Sequence, residues 1–368
     1  MNDVNATRNE TPGGTRPATG WAATTAIILC TLAACVVLLE MGLRVIGRYP
    51  INSLQGYFAQ GSIAYRLRPN VSRTIKWPTT TFTVNTDEMG FRARRPGPRG
   101  LDSRPYYAVL GSSDVFGNGL DYEKTFIGVF AEKMERHGIE VVNMAVGGHG
   151  LDEQTSIFED HAASVKDPPR VLLICLNPLV ISLYDDRHEG VVVRNGNLFP
   201  KDNWKMAYVR MVLQNKSTVY CFFRDSIRHI QLRYFDRQDF DMSFYFDLYS
   251  QMNPIRTSTR MGDFLGRLAD FEKDIRSLKA RPVYVYCPFP AGFDLNRPEL
   301  DTQFFPVLID QHCKAEGIQF INLEPALTQL HDKGQKLNID LDGHFNGPTS
   351  RVIGEHLYES LKPGGNTE

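Results

Sequence analysis

Three short stretches of this chain carry residue types that could do chemistry together. Gly111-Ser112-Ser113-Asp114-Val115-Phe116-Gly117 follows an apolar run, Asn143 leads into Gly147-Gly148, and Asp342-Gly343-His344 lies near the C-terminus. They supply a serine, backbone amides for an oxyanion, and a histidine with an acid beside it, which is the equipment for nucleophilic attack on an ester. Glycines at 111, 117 and 119 let the backbone around Ser113 approach a ligand closely. The same residues also suit a plain turn that caps a helix. A phosphate cradle does not fit, because the loop has neither a Gly-Lys-Ser/Thr nor a GxGxxG register. His344 is the candidate base, and Asp342 shares a face with it if the segment is extended. Such an acid would hold the imidazole in the tautomer whose Nε2 accepts the serine proton. Asp340 is a second candidate acid, and His149, next to Gly148, is a competing base.

Regular elements must bring these stretches to one place, and the apolar pattern provides them. Tyr107–Leu110, Val141–Val146, Val171–Leu176, Val283–Cys287 and Ile318–Ile321 are short apolar runs, most of them continuous, as expected of parallel strands buried on both faces. Helical spans at about 122–137, 152–165, 299–316 and 349–361 alternate with them. The pattern predicts an α/β fold, a three-layer α/β/α sandwich with a central parallel five-stranded sheet, whose ligands gather at the C-terminal ends of the strands. Ser113 then ends the first strand, Gly147-Gly148 follow the second, and Asn177 ends the third. Backbone amides and a side-chain amide at adjacent strand ends are the parts of an oxyanion hole, in which one donor is worth about 3 kcal/mol of transition-state stabilisation. The rhythm breaks at about 178–257, where 190–199 reads as a hairpin around Asn195-Gly196 and 207–234 as one or two helices with a basic, aromatic face. An insertion there could form a lid over the strand ends or simply cover the sheet edge.

Composition narrows the class further. The 368 residues are 42% hydrophobic and 11% aromatic, enough for one large core, and the net charge of −1 leaves no electrostatic footprint for nucleic acid. Trp21–Leu39 is an uncharged apolar run that spans the ~30 Å hydrocarbon core of a bilayer as a helix. We read residues 1–20 as a disordered polar tail and 21–46 as a transmembrane helix that makes the lipid bilayer a partner. Residues 47–104 form a juxtamembrane segment packed on the main domain at 105–365. Leu32-Ala33-Ala34-Cys35 resembles a lipoprotein processing box, but Val36–Leu39 continues the apolar run past it. Arg8 and Arg16 on one side balance Arg44 and Arg48 on the other, so charge alone leaves the orientation open. Six cysteines occur without CxxC or Cys/His ligand spacing, which argues against zinc; export would permit one or two disulfides. Neither cofactor nor metal is implied.

Gly-x-Ser after the first strand, Asn-x-x-x-x-Gly after the second, Asn at the end of the third and Asp/His before the last helix together resemble the SGNH (GDSL-type) hydrolases over about 106–361. The segment Asn85-Thr86-Asp87-Glu88-Met89-Gly90-Phe91-Arg92 and the single N-terminal helix resemble the bacterial membrane-anchored branch of that family. The resemblance implies Ser113 as nucleophile, an oxyanion hole of the Ser113 amide, Gly148 and Asn177, and His344 with Asp342 as base. It also implies an inner-membrane, single-pass protein whose domain faces the periplasm or exterior, acting on an acyl-ester or glycan substrate. The family's Gly-Asp-Ser is Gly-Ser-Ser here and Asn177 is followed by Pro178, changes that would also suit a non-catalytic relative that binds a glycan or an export partner.

Overall fold

The computed structural model describes residues 19–47, 55–61, 65–77, 80–101, 104–177, 180, 190–234, 254–288, 304–339 and 343–364. It opens with helix α1 (Thr19–Ile46), followed by strands β1 (Phe58–Gln60), β2 (Tyr65–Leu67), β3 (Ser72–Lys76), β4 (Thr81–Thr86) and β5 (Arg92–Ala93). The main domain begins with β6 (Tyr106–Leu110), the one-turn helix α2 (Ser113–Phe116), α3 (Phe126–Glu135), β7 (Glu140–Asn143), α4 (Leu151–Ser164) and β8 (Val171–Leu176). Then come the hairpin β9 (Val191–Arg194) and β10 (Asn197–Pro200), with helices α5 (Trp204–Lys216), α6 (Thr218–Tyr234) and α7 (Pro254–Ser277). The chain closes with β11 (Arg281–Tyr286), α8 (Phe304–Glu316), β12 (Gln319–Asn322), α9 (Glu324–Asp332) and α10 (Gly347–Leu361).

The central sheet has eight strands in the order β12-β11-β8-β6-β7-β5-β4-β3. Its first five are parallel and are the five apolar runs read from the sequence. The expectation of a five-stranded parallel sheet is corrected at one edge: β5, β4 and β3 continue it in antiparallel fashion. The juxtamembrane segment therefore extends the sheet itself. Its alternating Thr81-Phe82-Thr83-Val84 buries Phe82 and Val84 on one face only, so it lacks the continuous apolar run that marks the parallel strands.

Alternate residues of each parallel strand face opposite layers. Tyr107, Val109, Val141, Leu173, Val283 and Val285 join α3 and α10 in one core. Ala108, Leu110, Val142, Leu172, Ile174 and Tyr284 join α4, α7 and α8 in the other. This division makes the three layers. The chain leaves β6 for β7 on one side and returns to β8 on the other, so a crevice opens where the order reverses, at the C-terminal end of β6. Ser113 stands there, two residues past Gly111. The hairpin turns on Asn195 and Gly196 with φ of 51° and 77°, the pair of positive values that a two-residue primed turn requires. All six cysteines are free.

Candidate active site

Gly111 makes the turn from β6 into α2 possible, since a β-carbon there would lie 2.2 Å from Val115 Cγ2. Ser112 takes the N-cap position, so Ser113 is the first residue of α2, where backbone amides have no partner within the helix. Asp114, Val115 and Phe116 are buried, whereas Ser113 is half-exposed. Side chains from neighbouring strands brace this single turn. Asn143 at the end of β7 donates from Nδ2 to the Val115 carbonyl at 2.9 Å and accepts the Ala145 amide on Oδ1 at 3.1 Å. Arg92 of β5, fully buried, donates to the carbonyls of Phe116, Gly117 and Leu120 at 2.7, 3.0 and 2.5 Å. Its guanidinium also lies 4.3 Å from the Phe116 ring centroid. Burial lowers its pKa to about 10, so it stays charged at neutral pH.

A second strand end faces the first. A β-carbon on Gly147 would lie 3.5 Å from Ser113 Cβ, so the glycine pair abuts the serine. Gly148 has φ of 84°, and a β-carbon there would come 2.6 Å from Tyr65 Oη, so both its conformation and its space call for glycine. Tyr65 Oη donates to the Gly147 carbonyl at 2.7 Å. The Tyr65 carbonyl lies 2.9 Å from His149 Nε2 and can only accept, so that nitrogen carries the proton. His149 is 1% exposed and packs against the Tyr65 ring, tilted at 58° with 4.9 Å between centroids, which gives it a supporting place in the turn.

Asn177, at the end of β8, donates from Nδ2 to Ser112 Oγ at 3.2 Å and accepts the Val180 amide on Oδ1 at 3.1 Å. Both Ser112 and Asn177 are buried. Ser112, Ser113, Gly147 and Asn177 therefore converge on one crevice. His344 comes in from the C-terminal side. Its carbonyl accepts the Ile339 amide at 2.9 Å, Phe345 is buried, and Asn346 caps α10 by accepting the Thr349 amide. These anchors fix the half-exposed imidazole 6.4 Å, centroid to centroid, from Trp77. Gly119, in the loop leaving α2, packs against Trp77 and Ile339: a β-carbon there would lie 2.5 Å from Ile339 Cδ1 and 3.3 Å from Trp77 Cζ3. Trp77 thus lies between the loop that leaves Ser113 and the His344 ring. Asp342 and the second candidate, Asp340, lie outside the described residues.

Tyr65 and Arg92 carry no signal of reactive residue type in the sequence, because each acts by holding backbone at the crevice. Among the described residues no group of three or more His, Cys, Asp or Glu side chains could hold a metal. A cavity of about 300 Å³ lies behind the glycine turn, with Val146, Phe91 and His161 among its walls and Ser113 not among them.

Neither a protein-family model nor a curated protein matches the sequence. Among solved structures the chain is similar to a member of the lipolytic protein G-D-S-L family from Veillonella parvula, with 13% identity over 70% of this chain and 98% of that one and a TM-score of 0.39. It is also similar to the psychrotrophic esterase EstA from Pseudoalteromonas, with 12% identity, coverage of 70% and 96%, and a TM-score of 0.37. An acetylxylan esterase from Geobacillus stearothermophilus matches with 10% identity, coverage of 70% and 93%, and a TM-score of 0.38.

Proposed function

We propose that this chain is a membrane-anchored serine esterase or acyl transferase of SGNH type, acting on acyl esters, in the first instance O-acetyl groups, of an envelope or exported glycan. The observation that carries the reading is the convergence of three strand ends on Ser113, with Gly147 packed against it and the Asn177 amide held beside it through Ser112. In this mechanism Ser113 Oγ attacks the acyl carbon while its proton passes to His344, oriented by Asp342. The tetrahedral oxyanion is met by the Ser113 and Gly148 amides and by Asn177 Nδ2. Collapse returns the proton from His344 to the leaving alcohol and leaves an acyl-Ser113 ester, which passes to water or to a sugar hydroxyl.

Helix α1 supports the anchor: the most apolar 18-residue window of Gly20–Ile46 has a mean hydropathy of 2.5, and none of that window is buried by the rest of the chain. We place it in the inner membrane with the domain in the periplasm, in keeping with the resemblance. A non-catalytic glycan binder is the second reading, and Ser112 in the acid's place is what favours it. Fluorophosphonate labelling of the detergent-solubilised protein separates the two. Labelling that survives Ser112→Ala and is lost in Ser113→Ala supports the esterase. Equal labelling of the wild type and Ser113→Ala rules it out, and an unreactive, folded wild type favours the binder.

A further inference from the structure

The insertion helices α5 and α6 are fastened to the membrane helix at one level. Glu40 of α1 accepts the amides of Thr218 and Val219, each at 2.9 Å, and the Ser217 hydroxyl at 3.1 Å. One turn on, Arg44 donates to the Lys216 carbonyl at 2.8 Å and pairs with Glu40. The junction of α5 and α6 is thereby clamped to α1 by four hydrogen bonds. Leu43, in the same turn, is the one described residue of α1 that is buried.

This clamp fixes a depth. Glu40 is the first charged residue after the apolar run that starts at Trp21, and a helix of that length spans about 30 Å, the thickness of the hydrocarbon core. If α1 crosses the bilayer, as the functional reading holds, Glu40 sits at the boundary between hydrocarbon and headgroups. The α5–α6 junction sits there with it.

Leading away from that junction, both helices show an apolar stripe to the outside. On α5 the stripe is Met206, Val209 and Leu213, and on α6 it is Phe223, Ile227 and Ile230, each residue between 40% and 60% exposed. The spacings of i, i+3, i+7 and i, i+4, i+7 put each trio on one face of its helix. Lys205 and Lys216 border the α5 stripe on one flank and Arg210 on the other, and all three are exposed. Long basic side chains beside an apolar stripe can lay their stems along it and reach lipid phosphates with their charges. In water these stripes would be idle apolar surface, whereas at the depth of Glu40 they meet acyl chains.

We infer that α5 and α6 form an amphipathic platform that rests in the headgroup boundary of the same leaflet that α1 leaves, so that the catalytic domain is held against a lipid surface as well as tethered to it. The occupant of the two stripes is the bilayer. This inference rests on α1 spanning the membrane, and the test keeps the two apart.

The full-length protein, with Cys30→Ser and Cys35→Ser to remove the exposed native thiols, is reconstituted in vesicles of phosphatidylethanolamine and phosphatidylglycerol. A nitroxide is placed at Val209→Cys, at Ile227→Cys, or at the exposed control His356→Cys on α10. Co-flotation with vesicles reads the anchor, and collision with oxygen against a water-soluble nickel chelate reads the platform. The expected result is flotation of all three, with an oxygen-to-nickel ratio several-fold higher at 209 and 227 than at 356. Flotation with nickel-accessible labels at 209 and 227 overturns the platform and leaves the anchor standing. Labels shielded from both probes mean that protein covers the stripes and likewise overturn it. Failure to float overturns both readings.

Discussion

Arg92→Met should loosen the turn that carries Ser113 and cost about 1 kcal/mol of stability. The guanidinium holds the Phe116, Gly117 and Leu120 carbonyls at 2.7, 3.0 and 2.5 Å. Methionine fills the space of the stem but takes the guanidinium from the Phe116 and Leu120 carbonyls, at about 2 kcal/mol each, while the Gly117 carbonyl keeps the Leu120 amide at 3.3 Å. Against that loss stands the cost of burying a cation that carbonyls, and no direct carboxylate contact, satisfy. Burial lowers the Arg92 pKa from 12.5 to about 10, equivalent to about 3 kcal/mol that methionine recovers. The difference favours the wild type and corresponds to a fall in Tm of roughly 2–4 °C. Arg92→Lys keeps the charge but cannot span three carbonyls arranged around a planar fork, so it should be no better than methionine. The assays are thermal unfolding of the full chain in detergent and the rate of fluorophosphonate labelling, which should fall because Phe116 and Gly117 terminate the turn that Ser113 begins. Wild-type values of Tm and labelling rate in Arg92→Met would refute the reasoning and leave Asn143 as the brace that positions α2.

Gly148→Ala should be destabilising by about 1–2 kcal/mol from the positive φ alone and should slow labelling of Ser113, because its β-carbon meets Tyr65 Oη at 2.6 Å. Adding Tyr65→Phe removes that oxygen and should recover part of the stability measured by urea unfolding; no recovery would show that the clash is not with the hydroxyl. Stability should also fall on acidification because of His161. Its Nε2 donates to Tyr106 Oη, whose own proton goes to the Asp167 carbonyl, and its Nδ1 is buried without a partner. Burial therefore lowers its pKa from 6.5 to about 4. Between those values the unfolded chain holds a proton that the folded chain refuses. The contribution, about 3 kcal/mol, is complete above pH 6.5 and is lost as pH falls toward 4. His161→Phe should flatten that part of the urea-midpoint profile, and an unchanged profile would assign the acid sensitivity elsewhere.

The parallel strands were legible because burial on both faces writes itself as short apolar runs, and Val171–Leu176 is buried at every position. The antiparallel edge was harder to read. Only alternate residues of β4 are buried, and β5 is a two-residue strand, Arg92–Ala93, joined to β7 through the single pair Arg92–Asn143. No period can be seen in two residues. Within the site, Ser113, Gly147-Gly148 and Asn177 were found because strand ends in a parallel sheet converge whatever their side chains do. The bracing roles of Tyr65 and Arg92 are not legible in sequence for the opposite reason: Arg92 lies in the segment that carries the family resemblance, but an arginine inside a core reads as a surface residue until the carbonyls it satisfies are known. From sequence His344 is the candidate base and His149 its competitor, and both adjoin glycine. Their surroundings differ: His149 is buried and locked to the Tyr65 carbonyl, whereas His344 is half-exposed beside Trp77.

Ser112, which stands where the resembling family carries an acid, acts on the site through Asn177. The amide nitrogen of Asn177 has two protons; one goes to Ser112 Oγ at 3.2 Å while the amide oxygen is held by Val180. In the proposed mechanism the other proton is left for the oxyanion. A carboxylate at 112 would take the first proton in a shorter, charge-assisted bond and hold the amide more firmly. It would also place a buried negative charge next to the residue on which the oxyanion develops, where the low local dielectric magnifies repulsion. The hydroxyl gives up grip and removes that repulsion. The hole then depends more on the backbone amides of Ser113 and Gly148, whose positions are set by two residues outside the reactive group, Arg92 under α2 and Tyr65 under Gly147. In the proposed mechanism the hole would thus rest on an asparagine held by a neutral hydroxyl and on main chain braced by Arg92 and Tyr65.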